Sequence, residues 1–144
     1  MNQSTTRGAQ QKLVLLVEDN VDAIYLYGTA LRRAGHDVVI ADTLASAARA
    51  VHIRRPDLVV LDCHLPDGDG LGLLEKWRAV GHPMADVPVI VLTASAERQD
   101  IAAAFAAGAD EFVPKPVPGN VVALYVARAL QGNHKSARLR RSDV

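Results

Sequence analysis

The sequence predicts an α/β fold: a doubly wound, five-stranded parallel sheet flanked by five helices. Three observations carry this. Short apolar runs and helix-period segments alternate five times along the 144 residues. The runs are apolar throughout rather than alternating, as in strands buried on both faces. A helical pattern separates each run from the next, which is the crossover that parallel pairing requires. Five such units are too few for a closed eight-unit barrel.

The elements follow in order. Residues 1–11 are polar and patternless and are expected to form a disordered arm. Leu13-Val14-Leu15-Leu16-Val17 is a first strand, ended by Glu18-Asp19-Asn20. Ile24, Tyr27, Leu31 and Ala34 then recur at helical spacing, with Gly35 as a stop. Residues 37–41 (DVVIA) form a second strand, and Leu44, Ala47, Ala48 and Val51 mark a second helix closed before Pro56. Leu58-Val59-Val60-Leu61 is a third strand ending at Asp62.

The unit then repeats. Asp67-Gly68-Asp69-Gly70 reads as a turn, since it lacks the spacing of a calcium loop. Gly70, Leu73, Leu74 and Trp77 mark a third helix, with Trp77 packed in the core or on the helix flank and Gly81 behind it. Residues 87–92 (VPVIVL) form a fourth strand leading into Thr93, and either Thr93 or Ser95 is placed to cap the next helix. That helix is alanine-rich, anchored by Ile101 and Phe105 and stopped by Gly108. Glu111-Phe112-Val113 is a short fifth strand, and Val121, Leu124 and Tyr125 lie on a fifth helix. Residues 131–144 form a polar tail in which Lys135, Arg138, Arg140 and Arg141 face only Asp143.

Composition narrows the function. Sixteen basic side chains balance sixteen acidic ones, so there is no basic excess for direct nucleic-acid binding. At 4% the aromatic residues are too few for a base-stacking platform. A single cysteine excludes an internal disulfide framework and a cysteine-cluster zinc site. No apolar run approaches the roughly 20 residues of a membrane span, and the polar start lacks the apolar segment of a secretion signal. The expectation is one soluble cytoplasmic domain.

In an open parallel sheet, ligands bind beyond the carboxyl ends of the strands. Strand one runs into Glu18 and Asp19, and strand three into Asp62. Strand four ends at Thr93, and strand five is followed by Lys115. Asp42, after strand two, would be held away from the centre by an edge strand. Three carboxylates brought together repel unless a cation neutralises them. Hard oxygen ligands without His or Cys favour Mg²⁺ over zinc. Mg²⁺ with an ammonium and a hydroxyl suits phosphoryl chemistry, in which a carboxylate can be the covalent acceptor.

Five fragments carry a family resemblance: Leu16-Val17-Glu18-Asp19-Asn20; Val60-Leu61-Asp62-Cys63-His64-Leu65-Pro66; Asp69-Gly70; Val91-Leu92-Thr93-Ala94; and Phe112-Val113-Pro114-Lys115-Pro116. In this order, each at a strand end, they resemble the receiver domain of two-component response regulators, over residues 12–130. The resemblance implies the flavodoxin-like strand order 2-1-3-4-5. It implies Asp62 as phosphoacceptor and Glu18, Asp19, Asp62 and the His64 backbone carbonyl as the Mg²⁺ site. It implies Thr93 as the hydroxyl that senses the phosphoryl group, Lys115 as the site lysine with a cis bond to Pro116, and Phe112 as the aromatic switch.

The implied partners are a sensor histidine kinase or a histidine phosphotransfer protein as phosphoryl donor. The implied output is a downstream protein or a homodimer, bound through helix four, strand five and helix five, where residues 102–107 and 121–129 are rich in alanine and valine. The implied activity is self-phosphorylation followed by slow hydrolysis, without turnover of an outside substrate. Two departures are visible. Glu18 stands where Asp is frequent, its extra methylene suiting metal contact through water. Phe112 stands where Tyr is frequent, so switching is expected to rest on aromatic packing. Two other functions are open to this fold. An Asp-nucleophile phosphatase needs a second Asp two residues after the nucleophile, where His64 stands. An interaction module independent of phosphorylation would not need the filled site.

Overall fold

The computed structural model describes residues 11–94 and 97–133. Its central sheet has five parallel strands: β1 (Leu13–Val17), β2 (Asp37–Ala41), β3 (Leu58–Leu61), β4 (Val89–Thr93) and β5 (Glu111–Pro114). They lie in the order β2-β1-β3-β4-β5. Register is continuous across the sheet: Val14 pairs with Val38 on one side and Leu58 on the other, Val60 with Ile90, and Val91 with Phe112. The three inner strands are buried at every position. Their unbroken apolar runs follow from that, because each residue faces one of two covered sides.

The connecting helices are α1 (Val21–Arg33), α2 (Leu44–Ile53), α3 (Gly70–Trp77), α4 (Arg98–Ala107) and α5 (Gly119–Arg128). Alternate strand residues supply two separate cores. Val14, Leu16, Leu58, Val60, Ile90 and Leu92 pack with Tyr27 and Leu31 of α1 and with Val122 and Val126 of α5. Leu15, Val17, Val59, Leu61, Val89 and Val91 pack with Ala47 of α2, Leu74 and Trp77 of α3, and Ala104 and Ala107 of α4. Each fully buried Leu or Val contributes roughly 1.5–3 kcal/mol by leaving water.

Local signals fix the helix ends. The Asn20 side chain accepts from Ala23 N at 2.9 Å and caps α1. Thr43 and Ser46 form a reciprocal capping box on α2, and the Asp67 carboxylate also accepts from Leu44 N and Ala45 N. The 67–70 turn closes a small antiparallel hairpin, His64–Leu65 against Gly68–Asp69, and Asp69 then caps α3. α4 ends at Gly108, whose φ of 111° belongs to the left-handed region that glycine tolerates.

Three details depart from the expectations or add to them. β4 begins at Val89 rather than at residue 87, because Pro88 has no N–H to donate to a ladder, although its carbonyl accepts from Val59 N. α5 buries Val122 and Val126, whereas Leu124 is 58% exposed. The segment is apolar on every side, so periodicity alone does not set its phase. Neither Thr93 nor Ser95 stands at the α4 cap: Thr93 is the last residue of β4, Ser95 lies outside the described residues, and Glu97 occupies the cap position without a side-chain capping bond. Residues 131–133 close the turn after α5, while the remaining tail and residues 1–10 of the arm lie outside the described residues. No helix among the described residues is long and apolar enough to cross a membrane.

Candidate functional site

The sheet extends one hydrogen bond beyond three of its strands, and those bonds place the site. Glu18 N donates to Ala41 O at 2.9 Å, Asp62 N to Val17 O at 3.0 Å, and Lys115 N to Thr93 O at 2.8 Å. The main chains of Glu18, Asp62 and Lys115 are therefore held as firmly as strand residues although each lies past a strand end. Glu18, Asp62 and Thr93 are buried, Asp19 is exposed, and Lys115 is intermediate.

The side chains of Glu18, Asp19, Asp62 and Lys115 converge. The Lys115 ammonium lies 2.6 Å from Glu18 Oε1 and 3.3 Å from Asp62 Oδ2. The second oxygen of Glu18 accepts from Asn20 N at 3.1 Å, and Asp62 Oδ1 accepts from His64 N at 3.1 Å. Burial pushes the Glu18 carboxyl above its usual range, against the pull of Lys115 and the Asn20 N–H. Burial pulls Lys115 down, but its bond to Glu18 and the Asp62 charge outweigh this and hold it above the usual amine range. Burial, aided by the Asp69 and Asp62 charges, pushes the neighbouring Cys63 thiol up to about 12, so Cys63 is an inert small residue.

Glu18, Asp19 and Asp62 each bring a carboxylate oxygen within 4.8 Å of the others. Three carboxylates against one ammonium leave excess negative charge, and a hard, all-oxygen donor set fits a divalent cation such as Mg²⁺. Asp42 is exposed beyond the edge strand and is not in this cluster. His64 is exposed on the hairpin. The Lys115–Pro116 peptide is cis. Phe112 is half-buried and packs against the core under α2, α3 and α4.

Two contacts escaped the sequence. Gly70 approaches the phosphoacceptor candidate so closely that a Cβ there would lie 2.8 Å from the Asp62 carbonyl oxygen. Tyr27, read only as a core position, sends its hydroxyl to the loop after Lys115, 3.3 Å from Val117 O. The Asp69-Gly70 pair was a signal for the first; nothing local signals the second.

A doubly wound 2-1-3-4-5 sheet with an acidic, metal-competent pocket and a lysine at its carboxyl edge defines a flavodoxin-like signalling domain. The chain belongs to the response regulator receiver domain family, whose profile matches residues 14–126. It is 42% identical over 106 residues to the KDP operon transcriptional regulatory protein KdpE of Escherichia coli K12, covering 72% of this chain and 44% of that protein. It thus spans less than half the length of the curated relatives it matches. The non-phosphorylated HemR receiver domain of Leptospira biflexa is 33% identical with a TM-score of 0.74, covering 83% of this chain and 94% of that one. A CheY-like receiver domain protein of Methanospirillum hungatei is 25% identical with a TM-score of 0.79, covering 88% and 99% respectively.

Proposed function

We propose that this receiver domain is a phosphorylatable switch that takes a phosphoryl group onto Asp62 from the phosphohistidine of a sensor histidine kinase or a histidine phosphotransfer protein. One observation carries the reading: the Asp62 carboxylate stands 3.3 Å from the Lys115 ammonium and within the acidic cluster of Glu18 and Asp19. An Asp62 oxygen attacks phosphorus. The new P–O bond forms as the P–N bond of the phosphohistidine breaks, and the nitrogen keeps the electron pair and takes up a proton. Lys115 holds negative charge on the phosphoryl oxygens. Glu18, Asp19, Asp62 and the His64 carbonyl would hold Mg²⁺, which when bound supplies positive charge to the phosphoryl oxygens. Slow attack of water on phosphorus restores the carboxylate, so no outside substrate turns over.

The signal leaves through packing. The Thr93 hydroxyl donates to a phosphoryl oxygen, and Phe112, lacking a hydroxyl of its own, moves inward behind it. The face of α4, β5 and α5 then binds a downstream protein or a second copy. The domain works in the cytoplasm, which fits the lack of a membrane-spanning helix among the described residues.

The decisive experiment is incubation with Mg²⁺ and acetyl phosphate, read by intact mass. One added phosphoryl group, absent in Asp62→Asn and without Mg²⁺, is expected. No adduct from acetyl phosphate or from a kinase donor would overturn the proposal in favour of an interaction module independent of phosphorylation.

A further inference from the structure

The loop carrying Lys115 has an anchoring problem that the sequence creates. On its β5 side, Lys115 N is bonded to Thr93 O. On the other side the chain runs Pro116-Val117-Pro118, and neither proline has an N–H to donate. A ladder cannot fix that half of the loop. Contacts with α1 replace it. The Tyr27 hydroxyl donates to Val117 O at 3.3 Å, a long and partly buried contact. Two residues further on, Gly119 lets the start of α5 lie against α1: a Cβ there would stand 2.9 Å from Ala30 Cβ and 3.2 Å from Leu26 O.

Tyr27 is 3% exposed and belongs to the apolar cluster of Leu16, Leu31, Val60, Val113 and Val122, which a phenylalanine would join equally well. Burying a phenolic hydroxyl there is unfavourable unless it is bonded, so the hydroxyl is present for the loop rather than for the core. The hydroxyl's one acceptor, Val117 O, lies two residues from Lys115 in the chain.

We infer that Tyr27 is a positioning residue for Lys115: its hydroxyl tethers the 115–118 loop to α1 and keeps the ammonium shared between Glu18 and Asp62. Without the tether the loop relaxes, and Lys115 falls back on its shorter contact with Glu18. The inference rests on the reading of Asp62 as phosphoacceptor, and its test separates the two.

The test is a double-mutant cycle on the rate of phosphoryl uptake from acetyl phosphate at saturating Mg²⁺, with Tyr27→Phe, Lys115→Ala and the pair. Tyr27→Phe keeps the ring and the fold, and is expected to slow uptake about fivefold, the worth of one neutral hydrogen bond, with the Mg²⁺ dependence unchanged. In the Lys115→Ala background the same substitution is expected to change nothing. An unaltered rate in the single variant, or equal losses in both backgrounds, overturns the role. A second readout needs no phosphoryl chemistry: the ¹⁵N resonance of the Lys115 ammonium should shift or broaden in Tyr27→Phe, and an unchanged resonance also overturns it. If the wild type takes up no phosphoryl group, the proposed function fails, and the ammonium signal alone decides the part played by Tyr27.

Discussion

Lys115 is bound more closely to Glu18 than to the phosphoacceptor candidate: its ammonium is 2.6 Å from Glu18 Oε1 against 3.3 Å from Asp62 Oδ2. The Glu18 side chain is 1% exposed, so this pair is a buried one on the carboxylate side. Buried charges persist only with a partner, and here the partner is also the lysine proposed to hold charge on the phosphoryl group. The resting site therefore couples stability to function: what neutralises Glu18 also positions the lysine beside Asp62.

Removing that partner has a predictable cost. Lys115→Ala leaves Glu18 buried beside two further carboxylates, and the loss of one member of such a pair costs about 3 kcal/mol. The urea midpoint should fall accordingly, and millimolar Mg²⁺ should restore part of the loss, because a cation in the cluster takes over the neutralising role. Wild-type stability without Mg²⁺ would show that the pair contributes no net stabilisation.

The layout of the fold was legible because each inner strand is buried on both faces and so spells itself as an apolar run. The candidate site was legible for a related reason: Glu18, Asp62, Thr93 and Lys115 each sit at the end of an inner strand or of β5, or one residue past it. A helix's buried face is not legible where local pattern carries no phase. α5 is apolar all round, and its buried face had to come from packing on α1. Strand ends predict which side chains meet at the edge, but not which of them pair. Lys115 with Glu18 spans 97 positions, and Tyr27 with Val117 spans 90. Only the assembled sheet brings these together.

Two glycines in α3 should respond to the same substitution with opposite signs. A Cβ at Gly70 would lie 2.8 Å from the Asp62 carbonyl oxygen and 3.3 Å from Cys63 Cα, both main-chain atoms that cannot swing aside. Gly70→Ala is therefore expected to cost about 1–3 kcal/mol and to slow phosphoryl uptake by displacing Asp62. Gly72 has nothing within 4 Å of its Cβ position, so Gly72→Ala should stabilise by about 0.5–1 kcal/mol with uptake unchanged. Paired denaturation curves and uptake rates decide it, and equal effects at the two positions would refute the close-approach argument.

Acid should weaken the fold through His36. Its Nδ1 is buried without a hydrogen-bond partner among the described residues. Burial holds the imidazole below its ordinary value of 6.5, while Asp57 pulls it partly back. Between the depressed folded value and 6.5 the unfolded chain binds more protons than the folded one. Stability is therefore fully present above 6.5 and is lost as the pH falls through that window. His36→Gln should flatten the dependence of the urea midpoint on pH in this range. An equally steep dependence in the variant would assign the effect to other groups.

At the far end of the sheet one arginine joins several segments. Arg78, just past α3, donates to Gly108 O at 2.9 Å, Met84 O at 2.9 Å, Val87 O at 2.7 Å and Asp110 Oδ2 at 3.0 Å. The same Asp110 oxygen accepts from Val89 N at 2.8 Å, so one guanidinium ties the end of α3 to the starts of β4 and β5. An ammonium cannot reach this spread of acceptors from a single nitrogen, whereas the planar guanidinium fork does. Arg78→Ala is expected to cost about 3–5 kcal/mol by stranding the buried Asp110 charge, a large fraction of a small domain's stability. Arg78→Lys should recover only part of that. Because the clamp lies at the opposite end of the strands from Asp62, the folded fraction of Arg78→Lys should take up phosphoryl groups at the wild-type rate. Urea denaturation and intact-mass kinetics on one preparation test both statements. A variant that is stable but slow to phosphorylate would mean that the clamp reaches the site.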